Sequence, residues 1–170
     1  MTNAIQYRML AGIPGTPNRM EHCVIEPQQY DLTTPPTVFG VPVKYVSGKV
    51  QPIAATDVIA TVVMGFLVRP FPISALVSSE PILTATPDKY QIADVLKRGY
   101  LHVIVNASQP STVPAKEGIV YCRKTDHGAG EYPIGGIESD ADGGKCEAVP
   151  YAFFTGAMDA NGLCEIRYKI

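Results

Sequence analysis

Tryptophan is absent from this 170-residue chain, and charged side chains make up only 18% of it. The net charge is −2, and the densest cationic pairs are Lys97-Arg98 and Arg123-Lys124. Nucleic-acid binders carry a basic stripe or patch, so no nucleic-acid partner is expected. No apolar run reaches the ~18 residues of a membrane span. The most apolar stretch, residues 58–68, is closed by Arg69-Pro70, so no membrane partner is expected either. The first residues lack the positive start and apolar run of a secretory leader, which points to folding in a cytoplasm. The four cysteines, Cys23, Cys122, Cys146 and Cys164, form no CxxC pair. Cys122, His127 and Cys146 match no standard zinc spacing. The cysteines therefore read as free thiols, and neither metal nor cofactor is expected.

Helical periodicity is also scarce. Only Pro87 to Arg98 approaches it, with Ile92, Val95 and Leu96 on one face and Gly99 as a stop, enough for one or two turns. Strand signals are plentiful. From Cys164 to Ile170 even positions are apolar and odd positions charged, the period of a strand with one buried face. Gly99 to Asn106 and Gly118 to Arg123 are β-branched and aromatic runs that would form a hairpin. Further strands are expected at Phe39 to Val46, Lys49 to Pro52, Ala60 to Arg69 and Ala148 to Gly156. Ser47-Gly48 is a two-residue hairpin turn, Gly65 a bulge or close approach, and Pro42 an edge marker. Gly and Pro number 15 each and are spread along the chain, so the turns are many. Short strands so spaced read as an all-β sandwich or barrel.

Two segments stand apart. Residues 1–37 are rich in Pro, Asn, Gln and Thr and read as an extended arm, with one short strand at His22 to Ile25. Residues 38–170 then form the β domain. Within it, residues 124–147 read as a long Gly-rich loop, of the kind that carries function or stays open in compact domains. The arm and this loop are the expected binding surfaces.

The motifs of chemistry fail one by one. There is no GxSxG elbow, no P-loop and no acid–base carboxylate couple. His22, His102 and His127 lie in separate contexts, and His102 reads as a sheet-face residue. Glu138-Ser-Asp140-Ala-Asp142 looks like the start of a calcium loop, but the twelfth position is Val149, where a ligating Glu belongs. The paired motifs of trimeric dUTPases are not found, nor the clustered histidines of a cupin. The chain reads as non-enzymatic.

Several segments, in order, resemble the phage structural cement protein family. They are Gly12-Ile-Pro-Gly15 with Asn18-Arg19, Phe39-Gly-Val-Pro-Val43, and Met64-Gly-Phe-Leu-Val-Arg-Pro-Phe-Pro72. Asp94-Val-Leu-Lys-Arg-Gly-Tyr100, Gly118 to Arg123 and Ile134-Gly-Gly-Ile137 follow. The resemblance implies a jelly-roll-like antiparallel β-sandwich on the outside of a tailed-phage head. It implies a homo-oligomer, a trimer or dimer, that binds the major capsid protein and ties neighbouring subunits together, assembled in the bacterial host cytoplasm. Pro14, Asn18 and Arg19 are the first candidates for partner contacts, with Arg69 and Phe71 behind them. The alternative is a carbohydrate- or receptor-binding β-sandwich of a virion, which would need a cluster of exposed aromatics.

Overall fold

A computed structural model describes residues 12–70, 86–106, 113–126 and 132–170. The strands are β1 (Pro17–Asn18), β2 (Val24–Tyr30), β3 (Pro42–Val46), β4 (Lys49–Pro52), β5 (Gly65–Val68), β6 (Ile92–Ile104), β7 (Ile119–Arg123), β8 (Ile137–Glu138), β9 (Cys146–Phe154) and β10 (Leu163–Tyr168). One helical turn, α1 (Ile59–Val62), and two 3-10 turns, at Met20–His22 and Asp142–Gly144, complete the elements.

The strands close two rings that share β6. In the first, β2, β4, β3 and β5 follow one another, and the first half of β6 pairs with both β5 and β2. All contacts are antiparallel except β2–β4. In the second, β10, β9, β7 and β8 follow from the second half of β6, and a parallel bridge from Ile137 to Val105 returns to its end. Closure satisfies backbone groups that a sheet edge would leave open. The all-β expectation holds, and the pairings lay out two rings that share β6.

Each ring has its own core. Tyr30, Phe39, Val43, Val50, Leu67, Ala93 and Val95 fill the first. The second is larger and includes Leu101, Val103, Val120, Phe154, Ile166 and Tyr168. Between them stands β5, whose residues are buried on both faces. Leu67 belongs to the first core, while Phe66 and Val68 belong to the second. Phe66 meets Tyr168 edge-on at 5.1 Å between centroids. The continuous apolar run of that motif is what a strand buried on both sides requires.

Four sequence expectations change. Pro87 to Arg98 contains strand, not helix: Ala93 and Val95 face the first core and Leu96 the second. Apolar spacing cannot separate such a strand from a short helix. Gly99 does not stop a helix but bends β6 where it passes from one ring to the other. Its φ is +137°, and a Cβ there would lie 2.8 Å from Cys23 Cα. Residues 60–69 divide into α1 and β5. β6 and β7 form no hairpin, because β10 and β9 lie between them. Pro42 begins a strand flanked by β4 and β5, and a first position tolerates the missing N–H as an edge does. The Ser47-Gly48 turn is as read, with φ values of 51° and 76°. At Gly65 a side chain would collide with the Leu96 carbonyl.

Candidate interaction surface

The segment expected to be an extended arm lies, over residues 12–30, against the body. The Gly15 N–H donates to the His102 carbonyl at 2.8 Å, the His102 N–H to the Thr16 carbonyl at 3.1 Å, and the Arg69 N–H to the Gly15 carbonyl at 2.8 Å. β2 is a wall of the first ring. Its apolar and polar residues do not alternate cleanly, which is why the sequence shows only a fragment of it.

This docking places β1 beside β6, and a transverse row results. Asn18 faces Tyr100, Tyr100 faces Arg167, Arg167 faces Phe153, and Phe153 faces Ile119. Residues in register share a sheet face. Here the inner face is core, so this row is the outer face of the second ring. Cations stack along it: the Arg19 guanidinium lies 4.3 Å from the Tyr100 centroid and that of Arg167 4.4 Å from Phe153. Carboxylates hold both. Arg19 donates to Glu165 at 3.1 Å, beside Asn18 at 2.8 Å, and Arg167 donates to Glu117 at 2.6 Å. At one end Tyr151, Phe153, Lys169 and Ile170 line a shallow depression, and Tyr151 is 69% exposed.

Backbone strain gathers on the same face. Among the described residues, six non-glycine residues have positive φ. Four of them belong to the row or its rim: Arg19 (50°), Glu117 (66°), Tyr151 (61°) and Lys169 (56°). Tyr151 and Lys169 are joined through a Lys169 N–H bond to the Tyr151 carbonyl at 2.9 Å. L-residues avoid this conformation for steric reasons, and retained strain of this kind concentrates where a protein meets ligands.

The expected contact residues thus divide. Asn18 and Arg19 come together on this face. Pro14 and Arg69 are both buried; Arg69 lies over the Phe39 ring at 5.6 Å, and together they seat the 12–19 segment. Phe71 lies outside the described residues. Sequence reading missed Tyr100, Ile119, Phe153, Arg167 and above all Tyr151. The alternation of β10 could have shown that Glu165, Arg167 and Lys169 share an outer face. The positive φ of Tyr151 has no sequence signature.

The other expected surface, residues 124–147, is tied down where described. Arg123 and Glu138 are fully buried, with Arg123 Nε donating to Glu138 Oε1 at 2.8 Å and Nη2 to Asp142 at 2.8 Å. Asn106 donates to the same Glu138 oxygen at 3.0 Å. The Arg123 guanidinium beside Asp142 holds that carboxyl below its usual range. This cluster fixes β8 and the 3-10 turn. It also helps form an apolar groove of about 260 Å³ where residues 36–42 meet 133–137, so the two segments singled out in the sequence adjoin there.

Burial pushes the Cys122 thiol up, and those of Cys146 and Cys164 up to about 11. All four cysteines are free. His127 lies outside the described residues. Among those described, no three His, Cys, Asp or Glu side chains converge as a metal site.

A family model described as Structural cement protein (E217 gp24/Pam3 gp6) matches residues 1–169. Curated proteins give no match. Among solved structures, a chain from the capsid of Myoviridae phage XM1 is similar, with a TM-score of 0.70, 18% identity, and coverage of 99% of this chain and 98% of that one. At that identity the likeness is one of fold.

Proposed function

The chain belongs to the phage structural cement protein family, and from that membership we propose that it coats the outside of a tailed-phage head and ties neighbouring major capsid protein subunits together. The match over residues 1–169 carries this reading. The family is structural, and the strained, aromatic face supplies the means. Tyr and Arg are the residue types that dominate binding energy at protein interfaces. Here Tyr100, Tyr151 and Arg167 stand on strands and Arg19 directly follows β1, held by Glu165, so all four are already ordered before a partner arrives. Pre-ordered side chains lose less freedom on binding. Asn18 and Arg19 contact the shell directly in this reading, while Pro14 and Arg69 hold the segment that presents them. The protein acts as a homo-oligomer, a dimer or trimer, so each unit spans more than one shell subunit. Repetition over a shell then turns modest single contacts into large total stability.

The test uses heads assembled from the major capsid protein alone. Added protein should co-sediment with them to saturation and raise their resistance to heat. Heads that do not retain it, or that melt identically with and without it, would sink the proposal. The mass of the purified protein in solution decides between dimer and trimer.

A further inference from the structure

A second surface lies on the first ring, and its chemistry is different. β4, β2 and β6 run side by side there, and their register sets Lys49, Gln29 and Ile92 in one row. All three are exposed. Tyr30 and Val50, the next pair along, point inward to the core. The turn before β6 adds Tyr90, 78% exposed, and Gln91. Asp88 fixes that turn by accepting the Tyr90 N–H at 3.0 Å, and Lys89 ties it to the Leu32 carbonyl at 3.2 Å. With Gln28 these residues line an open cleft of about 380 Å³.

The exposed amides of Gln29 and Gln91 have no hydrogen-bond partner among the described residues. Each can donate and accept at once. Beside them stand an aromatic ring and the Ile92 side chain, both open to solvent. A ligand that suits this cleft offers many hydroxyls, each also donor and acceptor, on a ring with an apolar C–H face. The site also disfavours other classes. At Gln29, in the cleft itself, β2 is paired on both sides, which leaves no strand edge there for an extended peptide. Lys49 and Lys89, with Asp88 beside them, make no basic stripe for nucleic acid.

We infer that this cleft binds saccharide chains, with the Tyr90 ring as the stacking platform and the Gln29 and Gln91 amides reading the hydroxyls. Lys49, at the end of the row, extends the site toward acidic sugars. The function goes beyond cementing: a coated head would adhere to glycan-bearing surfaces through the first ring while the second ring holds the shell.

The test titrates the whole protein by NMR with a neutral oligosaccharide series (dextran and mannan fragments) and an acidic one (alginate fragments). Saturable shifts at residues 28–30, 49 and 89–92 are expected with at least one series. Tyr90→Ala and Gln29→Ala should each weaken binding about tenfold or more. Both positions are exposed, and thermal melts would verify that each variant is folded. Co-sedimentation with heads should be unchanged in both variants, which separates this site from the cement reading. Absence of saturable shifts up to ~10 mM sugar with both series, or binding that both variants retain, overturns the inference; a Kd beyond the millimolar range corresponds to almost no specific interaction.

Discussion

Replacing Tyr151 by glycine should make the protein more stable and a worse cement. Tyr151 holds φ at 61°, and an L-residue in that region costs about 1–2 kcal/mol. Glycine escapes this cost but loses more backbone freedom on folding, about 0.5–1 kcal/mol. The side chain is 69% exposed, so little packing is lost with it. The net expectation is a gain of roughly 0.5–1 kcal/mol. The bond from the Lys169 N–H to the Tyr151 carbonyl involves backbone only and survives. Affinity for heads should fall in the opposite direction. An exposed, pre-ordered tyrosine acting as a hot spot is worth about 2 kcal/mol or more, close to a 30-fold loss. Urea denaturation with an unchanged slope would give the first quantity, and co-sedimentation with heads the second. Tyr151→Phe, which keeps both ring and strain, serves as control and should change stability by less than ~0.5 kcal/mol. A less stable glycine variant would show that the left-handed conformation is not strained there. A glycine variant that binds heads as well as the parent would remove this face from the interface.

Three further outcomes follow from the interior. Glu138→Gln or Arg123→Met alone should cost about 3–5 kcal/mol, since each leaves a buried partner uncompensated, while Arg123→Met with Glu138→Leu should cost far less; a urea double-mutant cycle checks this, and equal costs for single and double variants would contradict it. Burial raises the Asp94 carboxyl, so the folded state is penalised once pH exceeds that raised value and is not penalised below the unfolded value near 3.9. Asp94→Asn should therefore stabilise at pH 7 and bring no gain at pH 3, read from melts at the two pH values. Native protein at pH 8 should alkylate at Cys23 alone, because Cys122, Cys146 and Cys164 are buried and held as thiols; mass spectrometry would show all four modified only after unfolding.

The strands were legible wherever a single face is buried. β10, β4 and β7 can be read from their alternation and turns, and Ser47-Gly48 from its chemistry. β6 was half legible. Its second half alternates against one core, but its first half faces two cores in succession, and the resulting spacing of Ile92, Val95 and Leu96 mimics a helix. β2 was nearly invisible, because Val24, Glu26, Pro27 and Gln29 are all exposed and leave no apolar rhythm. Ring closure could not be read at all. It depends on β6 being shared, on the bend at Gly99, and on β10 and β9 coming between β6 and β7. Of the aromatic outer face, only Asn18 and Arg19 were legible in the sequence. Tyr151 announces itself through a dihedral angle, and a dihedral angle set by tertiary packing leaves no mark on local sequence.

Closure and strain bear on each other. A ring with paired strands offers few backbone groups to a partner, so attachment has to be made by side chains. Side chains grip best when they are aimed and held before contact. On the outer face of the second ring the aim is set by backbone that L-residues resist: four strained positions at about 1–2 kcal/mol each sum to roughly 4–8 kcal/mol. A domain is stable by only about 5–15 kcal/mol. Strain on that scale is tolerable only because the second core is packed behind it, with Ile166, Phe154 and Tyr168 fully buried on the opposite side of the same strands. Glycine at these positions would relieve the strain but remove the side chains that the backbone holds there. Their concentration on one face, and the absence of positive φ at Gln29, Lys49, Tyr90 and Ile92 on the other, sets a face held in place by strained backbone apart from one that carries no such strain.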